Sequence, residues 1–418
     1  MQSPRRIFRA VTVLGSTLAI TVVLGACASL IGVKEIFLDE NGGPGGGEGG
    51  LEGASLDGPI GSEGGDARIP FDCTKIDLQT DVKHCGACEH DCSNGVCGFG
   101  LCTLAIDMKS PGSVAVRGDS VYVGTHGGVG ATMRCPKNGC ASAMVGPVNL
   151  SADAVDPYPW RIVVNDTHVW ASDYSSSNKG GVRRVPLAGN EFRKFPAGVM
   201  LERSYGVAID NTAVYWTTDG TPGAVHWCSL PDCANGLQTA AVIGFGGELI
   251  SVAANGTIVW AENGGGVLKR CASKAACTPE LLVPDFQGVV NDLTIDGSTV
   301  YWGTNLGEIF SCATAGCANV TKIVLEEPKA TIGAIAVAGS ALYWSSMEFQ
   351  PDGNNVYENE GKIKTCTMPK CTGADIKTIA TSQKDPSTMT LDAQSVYWAN
   401  SGRRGYIDGI GNLLKAAR

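Results

Sequence analysis

The sequence predicts an all-β protein: a seven-bladed β-propeller preceded by a small disulfide-rich module and a glycine-rich tether. Three observations carry this. A strand–turn–strand element recurs seven times, cysteines are numerous and locally paired, and a glycine-dense segment separates both from an apolar N-terminus.

Residues 1–26 open with Arg5, Arg6 and Arg9 and continue as an apolar run from Val11 to Leu24. A positive start and a short apolar stretch read as an export signal, and the run is too short and wrongly flanked for a comfortable membrane span. Leu24-Gly25-Ala26-Cys27 resembles the lipobox of bacterial lipoproteins. The resemblance implies cleavage before Cys27, lipidation of that cysteine and stable anchoring by several acyl chains where one would not suffice. The next residue is Ala28 rather than Asp, which resembles lipoproteins sent onward to an outer membrane. The expected location is therefore exported, on the outer membrane, facing the periplasm or the cell surface.

Loss of residues 1–26 removes three positive charges and no negative ones, moving the formal net charge from −9 to −12. An acidic mature chain with no run of Lys and Arg excludes nucleic acid as a partner, and excludes docking on anionic lipid through basic patches. Of seventeen cysteines, sixteen remain once Cys27 is set aside. An even remainder suits full pairing in an oxidising compartment.

Residues 27–68 hold the lipidated N-terminus and the tether. Twelve of the residues from Gly42 to Gly65 are glycine, and most others are small or acidic. Such a segment buries too little apolar surface to offset its ordering entropy. Its expected r.m.s. reach is roughly 30 Å for about 28 residues.

Residues 69–102 form the cysteine-rich module, with Cys73, Cys85, Cys88, Cys92, Cys97 and Cys102. Six cysteines allow fifteen connectivities. Cys85-x-x-Cys88 beside His84 and His90 also has the donor types of a zinc site, but export favours oxidised thiols. No metal and no cofactor are expected. The "CGAC…C" pattern resembles cysteine-rich modules of secreted myxobacterial proteins, which implies the compartment only.

Residues 101–418 carry the repeats. The element recurs as VAVRGDSVYV, IVVNDTHVWA, VAIDNTAVYW, VAANGTIVWA, LTIDGSTVYW, IAVAGSALYW and MTLDAQSVYW. Val123, Trp170, Trp216, Trp260, Trp302, Trp344 and Trp398 stand in equivalent positions, 47, 46, 44, 42, 42 and 54 residues apart. Alternating apolar residues, β-branched enrichment and Asp/Asn/Gly turns specify strands. Four short strands per repeat of this length match a propeller blade. The last copy ends at the third strand, "GNLLKAAR", and Leu101–Ile106 is placed to supply the missing fourth. Pairing the two ends closes the ring and removes an edge.

"VYWTTDG" at Val214–Gly220 resembles the YWTD-type repeats of receptor propellers, within a broader likeness to NHL- and TolB-like propellers. The chain departs from that pattern in having seven copies where that family has six, in lacking the Asp two residues after Trp (Thr218 and Thr304 stand there), and in its added cysteine pairs. The family's contacts between blades and its receptor role therefore do not transfer.

Six of the eight tryptophans occupy the repeat position, usually after Tyr. Neighbours along a strand face opposite ways, so Tyr301 and Trp302 point to the two faces of their blade and pack against adjacent blades. They are expected to be core, not a binding platform. Five cysteine pairs flank the turn between third and fourth strands and are read as disulfide staples. They are Cys135 with Cys140, Cys228 with Cys233, Cys271 with Cys277, Cys312 with Cys317, and Cys366 with Cys371. Copies two and seven lack the pair.

Function is expected where the copies differ. The loops before strand one and after strand two open on one face, opposite the cysteine turns. There the ligand-binding candidates are Tyr158, Trp160, Arg161, Arg203, Tyr205, Glu248, Asn291 and Asp292, with Lys109, His126, Tyr174, Glu262, Arg403 and Arg404 nearby. Aromatic rings beside arginines suit stacking on a sugar or ring, or gripping an anion. The insertion Ser345–Gly361 opens on the same face; its Glu348, Asp352, Asn354 and Glu358 miss the spacing of a calcium loop.

Streptogramin-lyase-like propellers use a mouth histidine with a metal. Here His168 and His226 fall on strand positions, leaving His126 in "GTHGGVG" as the sole candidate base. Glu248, Glu262 and Asp292 are the carboxylates available for acid–base work. No nucleophile, zincin or phosphate-loop motif occurs. The expected function is recognition of a protein, peptide or glycan. Its alternatives are an envelope scaffold with no small ligand and a lyase or hydrolase acting at the mouth.

Overall fold

The computed structural model describes residues 73–126, 130–141, 148–150, 159–174, 180–189, 193–195, 203–220, 222–244, 247–253, 255–262, 266–275, 277–283, 288–325, 330–348, 361–369, 371–402 and 410–418. All of them belong to one compact unit, Ile69–Arg418. The export signal, Cys27 and the tether lie outside the described residues.

Seven antiparallel sheets make a seven-bladed propeller. The innermost strands, blade 1 to blade 7, are Pro111–Arg117, Pro159–Val164, Ser204–Ile209, Gly247–Val252, Val290–Asp296, Ala330–Ala338 and Pro386–Leu391. The second strands are Ser120–Thr125, His168–Asp173, Ala213–Thr218, Ile258–Glu262, Thr299–Thr304, Ala341–Glu348 and Ser395–Asn400. Helix among the described residues is confined to two single 3₁₀ turns, and no helix there is long and apolar enough to cross a membrane.

The repeated tryptophans are all completely buried. Tyr215 of blade 3 shares a core cluster with Trp260 of blade 4, Tyr301 of blade 5 with Trp344, and Tyr343 of blade 6 with Trp398. Each tyrosine thus faces the following blade, and each of these tryptophans the preceding one. The tyrosines have a further task. Tyr215 and Tyr397 donate their hydroxyls to Asp210 and Asp392, at 2.7 and 2.9 Å. Each aspartate stands five residues earlier and also accepts the backbone N–H groups of its own tight turn. The side chain that packs two blades together therefore also fixes the hairpin preceding it.

Closure follows the expected route. The last strand, Ile410–Ala417, pairs with Leu101–Lys109, and Val96–Gly98 adds a fifth strand outside it. The closing strand runs further than the expected Leu101–Ile106.

Eight disulfides form among the described residues. Five staple the third-strand turns: Cys135 to Cys140 in blade 1 and Cys228 to Cys233 in blade 3. Blades 4, 5 and 6 carry Cys271 to Cys277, Cys312 to Cys317 and Cys366 to Cys371. In each pair the first cysteine ends or nearly ends its third strand, and the second lies beyond the turn in irregular chain. The staple therefore ties the strand to its own turn; it does not span two paired strands, as facing thiols on a hairpin would. Cys140, Cys233 and Cys371 are buried with their partners, whereas Cys277 and Cys317 are only partly so. Three more bonds, Cys73–Cys88, Cys85–Cys97 and Cys92–Cys102, hold the module. So many disulfides belong to an oxidising, exported environment.

Truncating a fully buried tryptophan removes both its burial and its contact with the next blade. Trp302→Ala is expected to lower unfolding free energy by about 3–5 kcal/mol, read from urea midpoints. The same change at the half-buried Trp160 should cost less, and equal losses would contradict the assignment of Trp302 to the core.

Candidate functional site

The loop face of blades 1 to 3 gathers four aromatic or imidazole rings and an arginine. Trp160, at the start of the blade 2 inner strand, stacks on His126, with ring centroids 5.1 Å apart and planes 4° from parallel. On its other flanks lie Tyr174 at 5.0 Å and Tyr205 at 6.0 Å, and those two tyrosines meet edge to face at 4.8 Å. The Arg203 guanidinium sits 5.1 Å from the Tyr174 ring centre and donates to its hydroxyl at 3.1 Å. Trp160, Tyr174, Arg203 and Tyr205 are all partly exposed.

Local backbone chemistry explains how this shelf is held. His126 Nε2–H donates to the Pro159 carbonyl at 2.7 Å, tying the loop after the second strand of blade 1 to the residue just before Trp160. The ring needs Gly112 opposite it, because a Cβ there would lie 2.1 Å from the imidazole. Tyr174 follows Asp173, whose buried carboxylate accepts from Arg183 Nε at 2.8 Å.

Arg161 turns the other way. Its guanidinium crosses to blade 5, where it lies 3.4 Å from the Asp292 carboxylate and donates to the Asn291 carbonyl at 3.3 Å. Asp292 also accepts the Ile335 N–H of blade 6 at 2.8 Å, and Asn291 donates to the Ile332 carbonyl at 2.9 Å. Burial raises the Asp292 carboxyl above the usual range, with Arg161 opposing that rise. The channel space beside this bridge, lined from all seven blades, is about 150 Å³. Pockets for drug-sized ligands run to about 300–1,000 Å³, whereas a water occupies about 30 Å³. The channel space is thus of a size for a few waters and below that of a pocket for a drug-sized ligand.

Of the expected site residues, Trp160, Arg203 and Tyr205 come together, with Tyr174 and His126. Arg161 instead meets Asp292 at the channel, and Asp292 and Asn291 act as latches between blades 5 and 6. Tyr158, Arg403, Arg404 and most of the Ser345–Gly361 insertion lie outside the described residues, as does the Glu248 side chain. Lys109 ends the closing strand at the outer part of blade 7. Glu262 is paired with Lys269 Nζ at 2.8 Å and accepts from the Trp260 indole, so it is not an uncommitted acid.

Burial holds the His126 imidazole down at about 4, so it is neutral at pH 7 with its Nε2 proton committed to Pro159. His226 is likewise held at about 4 by burial, within hydrogen-bond reach of Thr239 Oγ1. In the module, donor atoms of Cys73, His84 and Cys88 lie within 4.8 Å of one another. Cys73 and Cys88 are joined, and Cys85 is bonded to Cys97, so neither this set nor the Cys85-x-x-Cys88 reading offers thiolates to zinc.

Neither family models nor curated protein sequences match this chain. Solved structures do match in fold. A streptogramin B lyase aligns with a TM-score of 0.57 at 14% identity, over 76% of this chain and 96% of its own. Virginiamycin B lyase from Staphylococcus aureus gives 0.56 at 17%, over 75% and 98%. YCF48 bound to D1 peptide gives 0.53 at 11%, over 76% and 94%. At such identities the likeness is one of fold.

Two outcomes follow from the buried titratable groups. His90, His126 and His226 all bind protons less readily folded than unfolded, in each case chiefly through burial. The unfolded chain therefore takes up more protons as pH drops below the ordinary histidine value of about 6.5. Stability should fall across about pH 6.5 to 4, with a limiting slope of about 1.4 kcal/mol per pH unit for each histidine. Urea midpoints measured against pH test this, and His226→Gln should flatten the slope. Separately, Arg161→Met leaves Asp292 buried without its cation and should cost about 3–5 kcal/mol. A neutral result by calorimetry would mean the bridge is not holding the channel.

Proposed function

We propose that the chain is an exported, lipid-anchored propeller that recognises a protein, peptide or glycan on its open loop face. The observation that carries this reading is the shelf of Trp160, Tyr174, Tyr205 and Arg203 beside a narrow channel that Arg161 helps to line. Flat aromatic faces with an adjacent guanidinium suit a sugar ring, a planar side chain or a carboxylate laid across the surface. The small channel favours a ligand bound on the face over one swallowed by the ring. The peptide-bound YCF48 structure supports the reading, since it is a propeller of similar fold in complex with a peptide. The anchor is Cys27, with the outer membrane as the location; a membrane contact through that lipid is part of the same proposal, and nucleic acid is not.

A lyase is the second reading, because the fold neighbours include such enzymes. One is a virginiamycin B lyase with quinupristin, made catalytically inactive by a histidine-to-alanine change. His126 is the mouth histidine here. Its neutral ring is clamped between Trp160 and the Pro159 carbonyl, an arrangement that favours a supporting role over proton transfer. The proposal uses no metal and no cofactor.

Glycan and peptide arrays probed with the intact protein give the test. A ligand class should be retained by the wild type and weakened about 5- to 100-fold by Trp160→Ala or Arg203→Ala. Binding that ignores both changes, or no binding at all, would sink the proposal and leave the scaffold reading. Turnover of quinupristin by the wild type, lost in His126→Ala, would establish the lyase instead.

A further inference from the structure

The hairpin between Val96–Gly98 and Leu101–Lys109 is closed by two residues, Phe99 and Gly100, with Gly98 paired to Leu101. Both turn residues are left-handed, with φ of 53° and 71°. That is the conformation in which Asn-Gly is strongly favoured, because asparagine and glycine tolerate positive φ. Glycine meets the requirement at the second position. Phenylalanine at the first is strained, since a bulky side chain with positive φ is a genuine outlier. It is 93% exposed, so no packing within the chain offsets either the strain or the wetted apolar surface. Folding alone gives no reason for phenylalanine at this position.

The tip is also rigid. Cys97 and Cys102 face each other across the hairpin and are bonded outward, to Cys85 and Cys92. Gly100 N–H donates to the Gln79 carbonyl at 3.2 Å. Gly86 approaches so closely that a Cβ on it would fall 2.3 Å from the Gly100 oxygen. Val82 and Val96, in the same module, are exposed as well. An aromatic side chain held out on a rigid support has the form of an interface anchor, which loses little freedom on binding.

We propose that Phe99 anchors a second protein-binding surface, separate from the shelf, whose partner offers an apolar pocket rimmed by basic groups. The charge of the module sets the partner's chemistry. Asp77, Asp81, Glu89 and Asp91 outnumber Lys75 and Lys83. Asp77 accepts the Gln79 N–H at 3.0 Å, on the turn that buttresses the tip. An acidic module is complementary to a basic partner and is repelled by anionic lipid. The proposal does not depend on the function assigned to the shelf.

The test uses the full chain with p-benzoylphenylalanine at position 99, photo-crosslinked in the cells that make it. The same probe at Val242, an exposed valine on the outer strand of blade 3, is the control. A discrete protein adduct at 99 is expected, mapping to an apolar pocket with Lys or Arg around it. The purified partner should bind the wild type and lose at least about tenfold in affinity with Phe99→Ala. Phe99→Asn should lose binding equally while keeping or raising the melting temperature, because asparagine fits the turn. A lowered melting temperature in Phe99→Asn would mean that the ring supports the fold, and would overturn the proposal. So would adducts to lipid alone, adducts no stronger than at Val242, or a partner indifferent to Phe99→Ala.

Discussion

The whole ring rests on one pairing between the two ends of the folded unit, Leu101–Lys109 against Ile410–Ala417. Without it, blade 7 has a bare third strand and the ring is open between blades 7 and 1. The pairing is irregular, with the register shifting between Thr103 and Ala105 and again before Met108. An interrupted ladder is weaker than a regular one, and the surrounding structure compensates. Lys137 of blade 1 reaches Asp392 of blade 7 at 2.6 Å. His90 of the module contacts Ser395 at 2.9 Å, and Lys415 donates to the Asp91 carbonyl. Burial brings the Lys415 ammonium down to about 8, a sign of how far this seam is shielded from water. The cysteine-rich module is thus bound to the propeller as a clamp on its seam, in keeping with blade 7 having no staple of its own.

Much of this is legible in the sequence because propeller packing repeats. A residue that packs between blades recurs from copy to copy, and the eye can find it without knowing any partner. Tryptophan stands at the position of Trp302 in six of the seven copies and tyrosine at that of Tyr301 in five, and cysteine pairs flank five of the third-strand turns. The pairing of the last strand with Leu101 onward is legible for a related reason: an incomplete final copy demands its missing strand. The aspartate five residues before the tyrosine is also within reach of a sequence reading. Asp210, Asp296 and Asp392 stand at that offset, yet on its own each reads only as turn chemistry. Its hydrogen bond to the tyrosine hydroxyl in blades 3 and 7 joins two features that each look complete alone.

The site is less legible, because nothing in it repeats. Trp160 and Arg203 are recognisable as ring-stacking and cationic residues in loop-face positions, and the structure brings both to the Tyr174 ring. Asn291 and Asp292 are recognisable in the same way, but their roles differ. A carboxylate that accepts the Ile335 N–H and faces Arg161 is occupied by the fold. Sequence position gives the face on which a polar side chain emerges; it does not give the donor waiting on the next blade. His126 illustrates the same limit. Its loop places it at the mouth, while the Pro159 carbonyl that fixes its tautomer and the Trp160 ring that stacks on it come from 33 and 34 residues later; burial lowers its basicity and the Pro159 hydrogen bond opposes that.

Trp160 and Arg161 are adjacent in the chain, and that adjacency has a mechanical consequence. They stand where the pairing with the second strand shifts register between Pro159 and Ile162, and they reach different partners: Trp160 the rings of His126 and Tyr174, Arg161 the Asp292 carboxylate of blade 5. The strand is pinned by the Arg161 N–H to Ser172 Oγ at 3.0 Å and by the Ile162 N–H to Ser113 Oγ at 2.8 Å. Ser172 in turn donates to the Tyr205 carbonyl at 2.6 Å, so blades 1, 2 and 3 are stitched together directly beneath the aromatic rings. The Arg161–Asp292 bridge adds a fourth fixed point on the far side of the ring. The rings of Trp160, Tyr174 and Tyr205 are therefore positioned by the fold itself, through the strand and hydroxyl bonds that tie their blades together. The Arg161–Asp292 pair lines the channel, its own side chains are committed to the fold, and that commitment steadies the strand from which Trp160 faces outward.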